Sequence, residues 1–469
     1  MLWGCPEQIG PNPTSTKTGT TNDTTNDTTN VTTNGTTNGT ASDPALLPKP
    51  AAENGLVVYR GTLSFGGSIV ITLDRPAAGK VTIRFEDSPF GLTGAIVGSL
   101  SAPPGRSVQS VKGLAADGSN PPPDALIAAL PDIELRFGVD NGALRGDIEG
   151  VPNIALAQAG EAGGASRTRH PGSARLAGLI HAVNTRSAPA LASLVGTYNY
   201  MVEAARYPSG SPAPLPGTQL VQVGQLRIDD DGMLTTCPNQ EHAVGCKPVR
   251  AGDATMGAQL RPADQTRHPG QFEVVDEGVV IGRLFVQDDG GKWNLRMLQQ
   301  QLVASGQVRI GTWVMQAVTS PMRGGQLDGD WACREAGIDP AMLGLNPPGL
   351  NGKIDGTLLS VKDGAMATAD MRPVESANLT LNAGFRVDNP SKPATDPARK
   401  LPGVAHALWA QVPAPVGTEI VSEQVVLPLA PDVFVYLREV DDAAGGQAES
   451  SVWGLCEKPL LKRPPRRPR

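Results

Sequence analysis

The sequence predicts an all-β protein: a disordered N-terminal tether, one β domain built as a sandwich or small barrel, and two repeated antiparallel β-barrel-like domains. Three observations predict it. With 55 Gly and 42 Pro in 469 residues and only 4% aromatics, the chain is rich in turns, which favours many short strands over long helices. Runs of β-branched residues recur between these turns with strand-like alternation. The C-terminal half also repeats itself at an offset of about 130 residues. A chain of this length is too long for one core and suggests about three domains.

In chain order, residues 1–50 read as the tether. The tetrapeptide Thr-Asn-x-Thr recurs through Asn22, Asn26, Asn30, Asn34 and Asn38. Such a tract has almost nothing apolar to bury, so it cannot offset roughly 1–2 kcal/mol of backbone entropy per residue. Each Asn also stands in an Asn-x-Thr context, which a eukaryotic secretory pathway would glycosylate. The β domain spans 55–157. It opens on Leu56-Val57-Val58-Tyr59, Ser68 to Leu73 and Val81 to Phe85, and it carries Asp140-Asn141-Gly142 between two strand-like runs, a hairpin turn whose Asn-Gly favours positive φ. Pro123 to Leu130 reads as one short helix with Asp124 near its start. Residues 158–190, rich in Ala, Gly, Ser and Arg, read as a linker in which Arg175 to Val183 is the only helical candidate.

The repeats occupy 191–320 and 325–457. Leu194-Val195-Gly196-Thr197-Tyr198 answers to Leu327-Asp328-Gly329-Asp330-Trp331, and Gly224 to Gly232 answers to Gly356 to Gly364. Gly311-Thr312-Trp313-Val314 resembles Ser451-Val452-Trp453-Gly454, an aromatic in a closing strand. Gly-x-Trp in a first strand resembles the opening of lipocalin- and avidin-like barrels, where the aromatic plugs one end. That resemblance implies that Tyr198, Trp331, Trp313 and Trp453 act as barrel plugs. Closing a sheet removes its edges, and a large aromatic fills a mouth that small side chains leave open.

Four cysteines, Cys237, Cys246, Cys333 and Cys456, allow three pairings. Cys237–Cys246 and Cys333–Cys456 are favoured because each bond then lies within one repeat, in an oxidising compartment. A metal site at Cys237, Cys246 and His242 lacks a fourth ligand. The fifth cysteine closes Leu2-Trp3-Gly4-Cys5, which resembles the end of the lipobox of bacterial lipoproteins. The resemblance implies a lipid on Cys5 and a membrane as partner, although Trp3 is bulkier than the usual occupant and the basic and apolar parts of a signal peptide are missing.

The net charge of −6 implies no attraction to nucleic acid. The basic, Pro-rich tail 458–469 reads as a solvated extension, with anionic lipid or polysaccharide as a conceivable contact. No apolar run reaches the roughly 18–20 residues of a spanning helix. Asp229-Asp230-Asp231-Gly232 and Asp288-Asp289-Gly290-Gly291 lack the ligand spacing of a calcium loop and read as hairpin turns. His170 and His268 share a Thr-Arg-His-Pro-Gly context that is also an ordinary turn. No catalytic, cofactor-binding or metal set stands out. The expected function is an envelope binding or interaction module for an unknown ligand or protein, an inhibitor being one version. The alternatives are an envelope hydrolase with a site assembled from distant loops, which a cleft gathering a histidine, a carboxylate and a Ser or Cys would reveal, and a purely structural component.

Overall fold

In the computed structural model, the residues described are 55–74, 79–100, 108–154, 175–208, 214–215, 218–249, 257–289, 291–303, 306–318, 320–336, 352–369, 374–385, 400–412, 420–440 and 450–459. Cys5, the Thr/Asn tract and the basic tail beyond 459 lie outside them.

Eight strands form a first closed barrel: β1 (Leu56–Leu63), β2 (Ser68–Asp74), β3 (Lys80–Glu86), β4 (Ala95–Leu100), β5 (Gln109–Ala116), β6 (Glu134–Asp140), β7 (Ala143–Pro152) and β8 (Arg175–Val183). The helix α1 (Asp124–Ala129) falls where the sequence places it. The β6–β7 hairpin turns at Asn141 and Gly142, whose φ values of 43° and 74° are those a type I′ turn requires. One expectation is corrected here. Arg175–Val183 is a strand, not a helix within a linker, and it closes the barrel by pairing with both β7 and β1. Its residues are buried on both faces, so it shows none of the alternation that marks a half-exposed strand. The closure needs Gly61: a Cβ there would lie 1.8 Å from the His181 carbonyl oxygen.

The second unit is a nine-stranded sheet that curls into an incomplete barrel, ordered β12-β11-β10-β9-β17-β16-β15-β14-β13. Its strands are β9 (Gly196–Pro208), β10 (Leu220–Ile228), β11 (Leu234–Pro238), β12 (Lys247–Pro248), β13 (Gln259–Pro262), β14 (Gln271–Asp276), β15 (Val279–Asp288), β16 (Trp293–Val303) and β17 (Gln307–Ala317). Its two edges meet through backbone bonds, Leu234 N to Ala258 O at 3.0 Å and Leu260 N to Gly232 O at 2.8 Å.

The third is again a closed eight-stranded meander: β18 (Gly329–Ala336), β19 (Ile354–Lys362), β20 (Ala365–Thr368), β21 (Val374–Ala383), β22 (Lys400–Val412), β23 (Ile420–Ala430), β24 (Val433–Val440) and β25 (Ser450–Glu457). Cys333 and Cys456 face each other across the closing pair β18–β25, with Cα atoms 4.0 Å apart, and form a disulfide. Cys237–Cys246 is the second bond. Both pairings are the favoured ones. The aspartate clusters are turns: Asp231 Oδ1 accepts from Met233 N at 3.0 Å between β10 and β11, and Asp288 Oδ1 from Gly291 N at 2.7 Å after β15.

Three apolar cores fill the barrel interiors, and a fourth lies between them. The fourth takes Leu179 from β8, Met201 and Val314 from the middle unit, and Leu437, Trp453 and Leu455 from the third. The barrels are thus glued by strands whose outer faces are also apolar, an arrangement in which the hydrophobic term does the joining.

Candidate functional site

The four aromatics singled out in the sequence part company in the structure. Tyr198 and Trp331 are 1% exposed, each inside its own barrel. Tyr198 Oη donates to Leu194 O at 2.7 Å, and Trp331 Nε1 donates to Leu327 O at 2.9 Å. The same carbonyl, four residues back, is used in both copies. Trp313 also points inward and donates to Gln299 Oε1 at 3.0 Å. Trp453 does not plug its barrel. It belongs to the core between the barrels, because Gly454 and Cys456 take the inward positions of β25. The Tyr436 ring lies over Gly454, where a Cβ would come within 1.8 Å of Tyr436 Cζ.

Trp453 instead lines a cavity of about 50 Å3 where all three barrels meet. Strand β9 supplies the carboxyl of its described lining. Tyr198, Tyr200, Val202 and Ala204 fill the barrel interior, so the intervening Met201, Glu203, Ala205 and Tyr207 face the neighbours. Glu203 is half-buried in this wall, and its Oε1 accepts from Ser451 Oγ on β25 at 2.6 Å. Burial pushes the Glu203 carboxyl up to about 7, against the smaller opposing pull of that hydrogen bond. Burial, and then the Glu203 charge, raises the Tyr207 phenol above its ordinary range. The first barrel contributes Phe65 and Phe90, and Phe90 stacks edge-on against both Phe65 and Tyr207, with ring centroids 6.1 and 6.2 Å apart. On two further lining residues, Thr312 Oγ1 and Trp453 Nε1 are buried without a hydrogen-bond partner among the described residues. Buried polar atoms of this kind are rare, and a guest in the cavity would satisfy them.

A second polar region joins the first and third barrels. Asp147 on β7, with no exposed surface, takes Arg136 Nε at 2.7 Å and Arg334 Nη1 at 2.9 Å, one on each oxygen. Arg334 also holds Glu457 at 2.6 Å, and Arg136 also holds Glu149. Arg145, His181 and Arg296 lie buried beside this seam. Burial, then the charges of Arg296, Arg145 and Arg334, drives the His181 imidazole well below its usual range. Burial and then Arg145 lower Arg296 to about 9.

The other sequence candidates are scattered. His242 Nε2 bonds Thr235 Oγ1 at 3.0 Å in the Cys237–Cys246 loop, and His268 meets the Arg283 guanidinium in a turn. His406 pairs with Glu423 at 2.5 Å, and His170 lies outside the described residues. No group of three His, Cys, Asp or Glu suited to a metal occurs among the described residues. The sequence reading missed Glu203 altogether. Its signal was a single acid inside the otherwise apolar run Tyr200-Met201-Val202-Glu203-Ala204-Ala205, a strand with neither face free for water.

No described helix is long and apolar enough to cross a membrane, which leaves strands unaddressed. No family model matches the chain, and no curated protein sequence matches it. Among solved structures, the chain is similar to the crystal structure of a protein of unknown function from the DUF3598 family of Nostoc punctiforme, at 12% identity and a TM-score of 0.22, over 57% of this chain and 98% of that one.

Proposed function

We propose that this chain is a lipid-anchored protein of the bacterial cell envelope whose barrel body is a binding module, with the three-barrel junction as its ligand site. One observation carries the binding part: a cavity lined by all three barrels holds a carboxyl with no counter-cation, and two buried polar groups with no partner, among the described residues. Convergent polar groups in a partly apolar cleft are the usual mark of a small-molecule site. The described lining pairs a carboxyl with hydroxyls and includes no histidine, which favours binding over the hydrolase alternative. The lipobox-like Cys5 and the polar tract behind it support the anchor, and the disulfides fit an oxidising compartment.

The binding part is tested by a fragment screen read on methyl resonances of the full chain. Hits that move Ile310 and Ala336, which line the cavity, support it. Hits that move only interior methyls such as those of Val202 or Ala407 contradict it. The anchor is tested by the intact mass of membrane-extracted protein: a lipid mass on Cys5 is expected, and an unmodified cysteine contradicts it.

A further inference from the structure

Resting on the junction as a ligand site, we infer that it takes a small organic cation, an alkylammonium group of a few carbons, held between Glu203 and the aromatic walls of Phe90, Tyr207 and Trp453. Among the described residues, the only charged side chain in the cavity lining is Glu203. From β25 it meets Ser451; the other walls offer Thr312 on β17, Tyr207 on its own strand, and Ser64 and Phe65 from the first barrel. None of these carries a positive charge. Among the described residues no Lys, Arg or His forms an ion pair with Glu203, whereas Asp147 holds two arginines.

A buried carboxylate left without a counter-ion is costly, and a cation entering the cavity removes that cost as it binds. Aromatic rings add attraction for a cation that an anion or a neutral alcohol does not receive. Size fits as well. A cavity of about 50 Å3, partly open to solvent, has room for an ammonium head with a short stem. Thr312 Oγ1 and Trp453 Nε1, both without partners among the described residues, give a ligand carrying a neutral oxygen near its nitrogen a second foothold. A protonated Glu203 offers the cation no charge, so affinity follows its ionisation.

The test uses n-butylammonium chloride, titrated into the full chain at pH 6 and pH 8 by calorimetry, with butyrate and n-butanol as charge controls. The expected result is binding of butylammonium that tightens by roughly tenfold from pH 6 to pH 8, because the amine stays charged while Glu203 ionises across that interval. Glu203→Gln is expected to weaken binding at pH 8 by tenfold or more and to flatten the pH dependence, while melting no lower than the parent. The parent's own pH dependence carries the same test without a substitution. Butyrate or butanol binding as tightly at the same methyls would overturn the cation assignment and leave the site standing. Butylammonium binding that is unchanged by Glu203→Gln, or equal at both pH values, also overturns it. If none of the three probes moves Ile310 or Ala336, the junction is not a ligand site and both readings fall.

Discussion

Asp147 and Glu203 are both acids set between barrels, and the molecule treats them in opposite ways. Asp147 sits in a saturated seam, with each carboxylate oxygen on a different arginine. Glu203 sits in a cavity wall with one neutral hydroxyl and pays for its ionisation alone. The Asp147 charge is answered from within the chain, by an arginine of the first barrel and one of the third. The junction is unfinished in the same terms, and an unanswered group beside open space is where a fold leaves room for something else. Burial alone therefore does not separate adhesive from functional acids. The presence or absence of a counter-charge does.

The difference is most easily broken by stability measurements. Asp147→Ala takes from Arg136 and Arg334 the buried carboxylate they share and leaves them Glu149 and Glu457, and removing one partner of a buried pair costs up to about 3–5 kcal/mol. Glu203→Gln removes a half-buried carboxyl that has no counter-cation among the described residues, and it is expected to be neutral or stabilising at pH 8. Urea midpoints of the two variants, compared with the parent, check this; an Asp147→Ala loss no larger than that of Glu203→Gln would erase the distinction. Somewhat smaller is the effect of the disulfide that flanks the seam. Cys333 and Cys456 adjoin Arg334 and Glu457, so the bond sets the register in which that ion pair forms. Replacing both cysteines by serine is expected to cost about 2–5 kcal/mol, read as a lower melting temperature under non-reducing conditions.

Acid gives the two regions opposite signs. The His181 imidazole is held well below 6.5, so its buried neutral form contributes stability above that pH which is lost as the pH falls through it. Glu203 is raised to about 7, so the stability tied to its protonated form is present at low pH and lost as the pH rises from the ordinary glutamate range through 7. Between pH 5 and 8, the stability of Glu203→Gln is expected to fall more steeply than the parent's on acidification, and that of His181→Gln less steeply, each by about 1–2 kcal/mol over the interval. Parallel profiles for both variants would contradict the assignment. The smallest effect belongs to Ser451→Ala. Its hydroxyl stabilises the Glu203 carboxylate, so its loss moves the Glu203 midpoint further up, with a change in stability of about 1 kcal/mol or less.

Much of this fold was legible in the sequence, because alternation and turn chemistry are local. The Asn141-Gly142 hairpin, the helix after Pro123 and the paired openings at Tyr198 and Trp331 each announce themselves within a few residues. The disulfides followed from counting cysteines within repeats. Strand β8 did not announce itself, since its two faces serve two different cores and so carry no polar stripe. For the same reason Trp453 was misassigned: an aromatic in a closing strand fits a plug or an inter-barrel contact equally well until the parity of β25 is known. The junction was beyond reach. Phe90, Glu203 and Trp453 are far apart in the chain and come together only through the docking of three barrels, an arrangement no sequence period records.

The most direct measurement is the titration of the Glu203 side chain, followed by its carboxyl 13C resonance in the full chain with and without n-butylammonium. A midpoint near 7 in the free protein, moving to lower pH as the cation binds, is the predicted result. A midpoint in the ordinary glutamate range of about 4.3, unmoved by the amine, would contradict it, since Glu203 would then already be answered within the chain.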